Sequence, residues 1–381
     1  MKTIKERGLV TVSVDILGAN TFVFQLPEEV EGFIDTESVD AFLLLYIWHA
    51  MELGVPLTVD APVSKALTEN IAGLQDVFAG LCPSLKIVKI TCNNPQSSWN
   101  RRDTLKSTGF SGGVDSWFTL CSAIQKNSRF DCLLFSNTGQ HGVHRVGEVF
   151  ESRYKTALEV MSTVSTPLIK VDTNIDEVLL NNFMQTHSIR NLACALMLQG
   201  GIGSYLYSSA YDFIPERISP NRDMATVEFF LFPLIKTERM AAKTAGLGLS
   251  RTGKLVYLAK RPEFNGKLYV CTEKRIPARN CGTCFKCRRT LLLLSYLGLE
   301  SIIDASFDSP AFKRRKRAME LGVLVAAQTS VPEHEVADII YRDWGVRAVF
   351  IKPVIAVLAA IKAYLPKALE WRIKNRYPYL W

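Results

Sequence analysis

The chain has no apolar run long enough to cross a bilayer. Its longest early run, AFLLLYIW at 41–48, falls well short of the roughly 20 residues a spanning helix needs and reads as a buried helix. The opening MKTIKERGLVTV carries charge but no apolar core, so no secretory signal is expected and a cytoplasmic setting follows. Internal repeats and low-complexity tracts are missing. So is a charge bias over most of the length: the first 310 residues hold 32 Lys/Arg against 31 Asp/Glu. The net charge of +8 comes almost wholly from residues 311–381, with 13 basic against 6 acidic side chains. Nine cysteines are present, four of them between 271 and 287. In a reducing compartment, clustered cysteines point to metal or redox chemistry rather than to disulfides.

At 381 residues, two or three units are expected. Residues 8–15 and 21–26 alternate apolar and polar and read as strands. A helix at 38–53, a strand at PLTVDA, a helix near 62–80 and a strand at LKIVKIT complete a small N-terminal α/β unit over 1–100. The turn-rich CNNPQSSWNRRD at 92–103 marks a boundary. From 101 to 300 the pattern alternates: strand LKSTGF, helix from 115, strand at 130–136, helix at 145–162, strand TPLIKVD, helix at 189–200, strand at 204–210 and a fifth strand at KLVYLA, 254–259. This predicts an α/β fold with a doubly wound parallel sheet and ligands at the carboxyl ends of its strands. Residues 301–381 read as a helical, basic C-terminal region.

SGGVDS at 111–116 joins the first of these strands to its helix. Gly112 and Gly113 let backbone N–H groups close on a phosphate. Ser111 and Ser116 add hydroxyls, Val114 belongs to the same nucleotide-binding loop, and the dipole of the helix starting near Asp115 favours an anion there. Asp115 is a candidate Mg²⁺ contact for a pyrophosphate leaving group. No Lys-Ser/Thr follows, which excludes a Walker-type phosphate loop. Cys281, Cys284 and Cys287 are spaced C-x2-C-x2-C, and Cys271 lies ten residues upstream. Four thiolates suit tetrahedral Zn²⁺; an iron–sulfur cluster uses the same ligand set. A closed four-thiolate site has no open position, so its role is structural.

The SGGVDS loop resembles the PP-loop of the N-type ATP pyrophosphatases. Together with the cysteine spacing, over roughly residues 105–298, the chain resembles the QueC-like branch, the 7-cyano-7-deazaguanine synthases. NTGQH at 137–141, RN at 190–191 and FPLIK at 232–236 fall in the family's order. The resemblance implies an adenine nucleotide alpha hydrolase-like fold and an AMP- and pyrophosphate-forming ligase. It would use ATP and Mg²⁺, with Zn²⁺ held structurally by Cys271, Cys281, Cys284 and Cys287. A carboxylate, on 7-carboxy-7-deazaguanine or a related base, attacks the α-phosphate; ammonia or an amine then displaces AMP. The chain departs from the compact synthases by about 100 residues in front and 80 behind, and 208–230, where the acceptor should bind, does not copy the family. It looks closer to divergent QueC-like enzymes of antiphage defence islands, some of which join a deazaguanine to an amine. A protein acceptor and a homodimer are therefore among the expected partners. No N-terminal Cys is present, so no built-in glutaminase is expected.

Arg190 and Lys236 are the candidate cations for phosphate or carboxylate. Ser136 ends the second strand where adenine would lie. His141, His144, Asp212 and Asp223 are loop candidates for nucleotide, base or magnesium contacts. KRRKR at 313–317 and the tail EWRIKNRYPYLW can meet nucleic acid, so a tRNA-modifying enzyme using the same activation is an alternative. A nucleotide sensor without turnover is another.

Overall fold

A computed structural model of the chain describes residues 1–14, 21–99, 104–140, 146–179, 183–214, 218, 220, 223–273, 279–328, 333–365 and 373. Strands β1 (Lys2–Glu6), β2 (Leu9–Ser13) and β3 (Val23–Pro27) form an antiparallel meander. Arg7 and Gly8, both at positive φ, make its first two-residue turn, the geometry that suits strand twist. Helix α1 (Asp40–Leu53) is buried from Asp40 through Met51, as the AFLLLYIW run predicts. Then come β4 (Leu57–Val59), β5 (Val63–Ser64), α2 (Lys65–Thr68), α3 (Ile71–Leu81), β6 (Ile90–Cys92) and β7 (Pro95–Gln96). They contribute two small parallel pairs, β4 with β6 and β5 with β7.

The alternating part follows: β8 (Leu105–Gly109), α4 (Val114–Gln125), β9 (Cys132–Ser136), α5 (Val146–Val160), β10 (Leu168–Thr173), α6 (Ile175–Val178), α7 (Phe183–Leu196), β11 (Ile202–Ser208), α8 (Glu228–Leu231) and β12 (Ala241–Ala245). Helices α9 (Arg251–Leu258), α10 (Phe285–Tyr296), α11 (Glu300–Ser306), α12 (Ser309–Ala326), α13 (His334–Trp344) and α14 (Val346–Tyr364) close the described chain. KRRKR lies on α12.

The protein is α/β with a large, mostly parallel central sheet. Its strand order is β1-β2-β3-β10-β9-β8-β11-β12, parallel from β10 to β12. The expected N-terminal unit is continuous with this sheet, because β3 pairs antiparallel with β10 through Gln25–Asp172 and Phe24–Thr173. Both faces are covered. Along β9, Cys132 and Leu134 enter a core shared with α1, α3 and α7, while Leu133 and Phe135 enter another with α4, α5, α10 and α12. A strand buried on both sides reads as a continuous apolar run, which is how CLLF reads.

The chain leaves β8 for β9 and β10 on one side, then returns to place β11 and β12 on the other. That reversal opens a crevice at the carboxyl ends of β8 and β11, the usual ligand position in such sheets. The expected fifth strand, KLVYLA, is instead in α9. Ser250 caps that helix, its hydroxyl accepting from Gly253 N–H at 3.3 Å, and Lys254, Leu255 and Leu258 turn inward at helical spacing. The fifth parallel strand is β12, AAKTA, whose small side chains carry no strong strand signal.

Candidate functional site

The turn from β8 into α4 is built by its glycines. Gly112 sits at φ 74°, where a side chain is strained. Tyr269 closes over it: its N–H donates to the Gly112 carbonyl at 2.8 Å, and a Cβ on Gly112 would lie 3.3 Å from Tyr269 Cβ. Gly113 is the N-cap of α4 and brings no side chain to the first-turn N–H groups. Those donors, with the positive end of the dipole, are left for an anion. Ser116 donates its hydroxyl to the Gly113 carbonyl at 3.0 Å. Ser111 is exposed beside Gly113, and Val114 is core.

Asp115, in the first turn, anchors a pair of cations. Its Oδ2 accepts from Arg251 Nη2 at 2.7 Å and its Oδ1 from Lys254 Nζ at 3.0 Å. Burial pushes its carboxyl up, but Arg251, Lys254 and Lys286 outweigh this and hold it below the usual range. The Lys254 side chain is fully buried and also donates to the Ser209 carbonyl at 2.6 Å. Lys286 and Arg289, from the first turns of α10, complete a cationic cluster. Burial lowers the Lys286 pKa to about 8, helped by Arg251 and Arg289. Arg289 is 5 % exposed, its Nε has no partner, and neither it nor Lys286 finds a hydrogen-bond acceptor among the described residues. Four cations thus gather near a helix N-terminus, Arg251 and Lys254 bonded to Asp115, Lys286 also near Asp223 and Arg289 also near the buried Glu333. A Mg²⁺ ion at Asp115 would meet Arg251 and Lys254 on both oxygens; that donor set does not fit a hard cation.

A second buried cluster adjoins the first, with Lys286 feeling both Asp115 and Asp223. His187 Nε2 lies 2.6 Å from Asp223 Oδ1, and its Nδ1 lies 3.0 Å from Tyr207 Oη and 3.1 Å from Ser188 Oγ. Burial opposes a charged imidazole, but Asp223 outweighs it and raises the His187 pKa. Tyr211 donates to Asp223 Oδ2 at 3.0 Å, and Ser188 to Glu228 Oε1 at 2.6 Å; burial lifts the Glu228 carboxyl to about 7. Asp223 also accepts from Ala225 N–H, so it orders this cluster rather than facing a ligand alone. Asp212, with Phe213 and Phe229, lines a small hollow beside it. The rings of Phe213, Phe229 and Phe230 are partly exposed and meet at 5.2 to 6.1 Å.

Cys271, Cys281, Cys284 and Cys287 converge, their Sγ atoms all within 4.8 Å of one another. Zn–S bonds of about 2.3 Å in a tetrahedron put sulfurs about 3.8 Å apart, so the donor set can hold a single metal ion such as zinc. Gly282, at φ 71°, shapes the knuckle that aims Thr283 and Cys284 N–H groups at Cys281 Sγ, 3.4 and 3.2 Å away. Glu273 N–H donates to Cys271 Sγ at 3.3 Å. Such donors favour thiolates. Cys284 caps α10 and Cys287 lies inside it, so the cluster fixes the turn that carries Lys286 and Arg289.

Other expected site residues fall differently. Ser136 is at the carboxyl end of β9, near the loop's end of the sheet, with its carbonyl taken by Gln140 Nε2 at 2.6 Å. Arg190 is a correction: its guanidinium is fully buried and donates to Thr186 Oγ1, the Thr138 carbonyl and Asp176 Oδ1 at 2.7 to 2.9 Å. It braces the turns after β9 and β10 instead of offering a cation to a ligand. Lys236 is a second correction. It is exposed and precedes β12, which places it toward the amino ends of the parallel strands, opposite the glycine loop. His141 and His144 lie outside the described residues, as does almost all of the tail from 366. Sequence reasoning missed Arg251, Lys254, Lys286, Arg289 and His187. Lys286 and Arg289 stood in plain view within CFKCRR, where the cysteines drew the reading; Arg251 and Lys254 were hidden by the strand assigned to 254–259.

Comparison of the chain with protein-family models, with curated proteins and with solved structures returns no match.

Proposed function

We propose that the chain is an ATP-dependent adenylating ligase of the QueC-like, PP-loop ATP pyrophosphatase kind, with a doubly wound sheet. The observation that carries this reading is the loop SGGVDS opening α4 without a side-chain cap, with Arg251 and Lys254 bonded to its Asp115 and Lys286 and Arg289 close by. Such a site suits a polyanion that gains charge as it leaves. The α4 N–H groups hold the pyrophosphate end of ATP. A substrate carboxylate oxygen attacks the α-phosphorus, the bond to pyrophosphate breaks, and an acyl-adenylate forms. A nitrogen nucleophile then attacks the acyl carbon and AMP leaves. The four cations stabilise negative charge in both the transition state and the leaving group, and preorganised charge of this kind supplies most of the acceleration in such transfers. Asp115 positions Arg251 and Lys254 through its two oxygens. No step is assigned to magnesium. Zinc, when bound to the four cysteines, supplies rigidity to α10 and no open coordination position.

The acceptor is a planar heterocyclic carboxylate, related to 7-carboxy-7-deazaguanine. The exposed rings of Phe213, Phe229 and Phe230 support a stacking partner, and Asp223 with His187 provides a polar edge beside them. The nitrogen donor is ammonia or an amine.

The test is product analysis by mass spectrometry after incubation with ATP, Mg²⁺ and 7-carboxy-7-deazaguanine, with and without ammonia. AMP and pyrophosphate with a changed base are expected, abolished by Asp115→Ala. ADP as product would sink the α-phosphate mechanism. Tight ATP binding without turnover on any carboxylate would favour a sensor instead.

A further inference from the structure

Helix α14 packs on one side only. Ala348 and Ile355 are buried against the helical layer built by α12 and α13. The opposite side exposes Val346 at 76 %, Phe350 at 77 % and Tyr364 at 89 %, together with Val349, Val354, Val357 and Ile361. Their spacing of three and four is that of one helical face. Nineteen residues make this stripe about 28 Å long. Nothing covers it among the described residues, and an apolar patch of that length marks an interaction surface.

Charge says what kind of surface meets it. Residues 346–364 include Arg347, Lys352 and Lys362 and no Asp or Glu. The sequence beyond continues with Lys367, Arg372, Lys374 and Arg376 against Glu370 alone, interleaved with Trp371, Tyr377, Tyr379 and Trp381. Cations with apolar stems, aromatic rings with one polar edge and a helical apolar stripe are the constituents of a segment that lies in the headgroup layer of an anionic bilayer. A second copy would set the same acid-free helix against itself. Crossing is not available, since no helix among the described residues is long and apolar enough to span a membrane. The buried side of α14 keeps it flat against the protein.

We propose that α14 is a membrane-docking face, which lays its apolar stripe on an anionic lipid surface, the basic surplus of the C-terminal sequence favouring that surface over a neutral one. The inference stands apart from the adenylation reading and shares none of its residues.

The experiment is sedimentation of the full chain with vesicles of phosphatidylcholine alone and of phosphatidylcholine containing about 30 % phosphatidylserine. Binding to the anionic vesicles at least about tenfold stronger than to the neutral ones is expected, weakening as salt is raised. Phe350→Glu combined with Val357→Glu should lower that binding about tenfold or more and leave the thermal unfolding midpoint in solution where it was, because both side chains are exposed. No binding to anionic vesicles would overturn the proposal. So would binding that survives the double substitution, or a solution dimer that the same substitution dissociates, which would make the stripe a protein interface.

Discussion

The two ends of the parallel sheet carry buried charge in opposite ways. At the amino ends, Asp35 and Asp40 lie beneath the start of α1. Gln199 Nε2 donates to Asp35 Oδ2 at 2.7 Å and to Asp40 Oδ2 at 2.8 Å, Thr237 donates to Gln199 Oε1, and Arg239 bridges Asp35 and Glu37 at 2.8 and 2.9 Å. Carboxylates outnumber cations there, yet the protein's own donors take up the oxygens. At the carboxyl ends Arg251, Lys254, Lys286 and Arg289 gather near Asp115, and neither Lys286 nor Arg289 finds a hydrogen-bond acceptor among the described residues. Satisfied charge is scaffolding. Unsatisfied charge of one sign, held in place at some cost to stability, is the mark of a site awaiting a ligand.

Each side of that contrast can be broken. The largest effect is expected from the metal site that holds the cationic end together. Cys284→Ser should lose the bound zinc, read by elemental analysis. Because binding energy at a structural metal is also folding energy, it should lower the unfolding midpoint and abolish AMP formation; retention of one metal per chain with full activity would separate the cysteines from the site. Next is Lys254→Met. It removes a buried partner of Asp115, and breaking such a pair costs about 3–5 kcal/mol in a chemical denaturation series. Turnover should fall by about a hundredfold or more.

Asp40→Asn probes the amino end. Burial, reinforced by Asp35, lifts the Asp40 carboxyl from 3.8 to about 6 against its bonds to Ser64 and Gln199. The folded chain therefore binds the proton more tightly than the unfolded one, and this group's penalty is absent below about pH 4, grows as pH rises, and is complete above about pH 6, reaching about 3 kcal/mol. The substitution should remove that downward slope of stability between pH 4 and 6 and leave ATP affinity unchanged. A changed affinity with an unchanged slope would mean that the amino end is not mere scaffolding.

Arg289→Met sharpens the contrast from the other side. Removing a buried cation that has no hydrogen-bond acceptor among the described residues should leave stability level or raise it, while ATP affinity falls about tenfold, near 1.4 kcal/mol. Loss of both together would place Arg289 in the scaffold.

What could be read in the sequence follows the same division. Local chemistry was legible: two adjacent glycines at a strand-to-helix turn, cysteines at metal spacing, an apolar run too short to span a bilayer. Strand β9 declared itself because both of its faces are buried. What escaped was whatever depends on tertiary placement. Residues 254–258 satisfy a strand pattern and a helical one equally, and only Ser250 as cap decides for α9, which hid Lys254. Arg190 has the composition of a phosphate ligand, but Asp176 and Thr138, 14 and 52 positions away, consume its donors. The union of β3 with β10 joins residues 25 and 172, a separation no local periodicity reveals.

The smallest effect is expected at Lys236, and it is informative for that reason. Its place in FPLIK, beside a Pro-Leu pair, suggests a phosphate contact. The strand directions suggest otherwise: β8 runs toward the glycine loop, β11 and β12 run parallel to it, and Lys236 precedes β12, whereas Asp115 follows β8. A cation at the far end of a sheet meets a bound polyanion only through solvent-screened distance. Lys236→Ala should therefore change ATP affinity by less than about twofold and stability by less than about 0.5 kcal/mol, as ordinary surface substitutions do. An order-of-magnitude loss of affinity, measured by titration calorimetry, would mean that nucleotide reaches the amino ends of the strands, and the surplus of cations around Asp115 would then need another ligand to account for it.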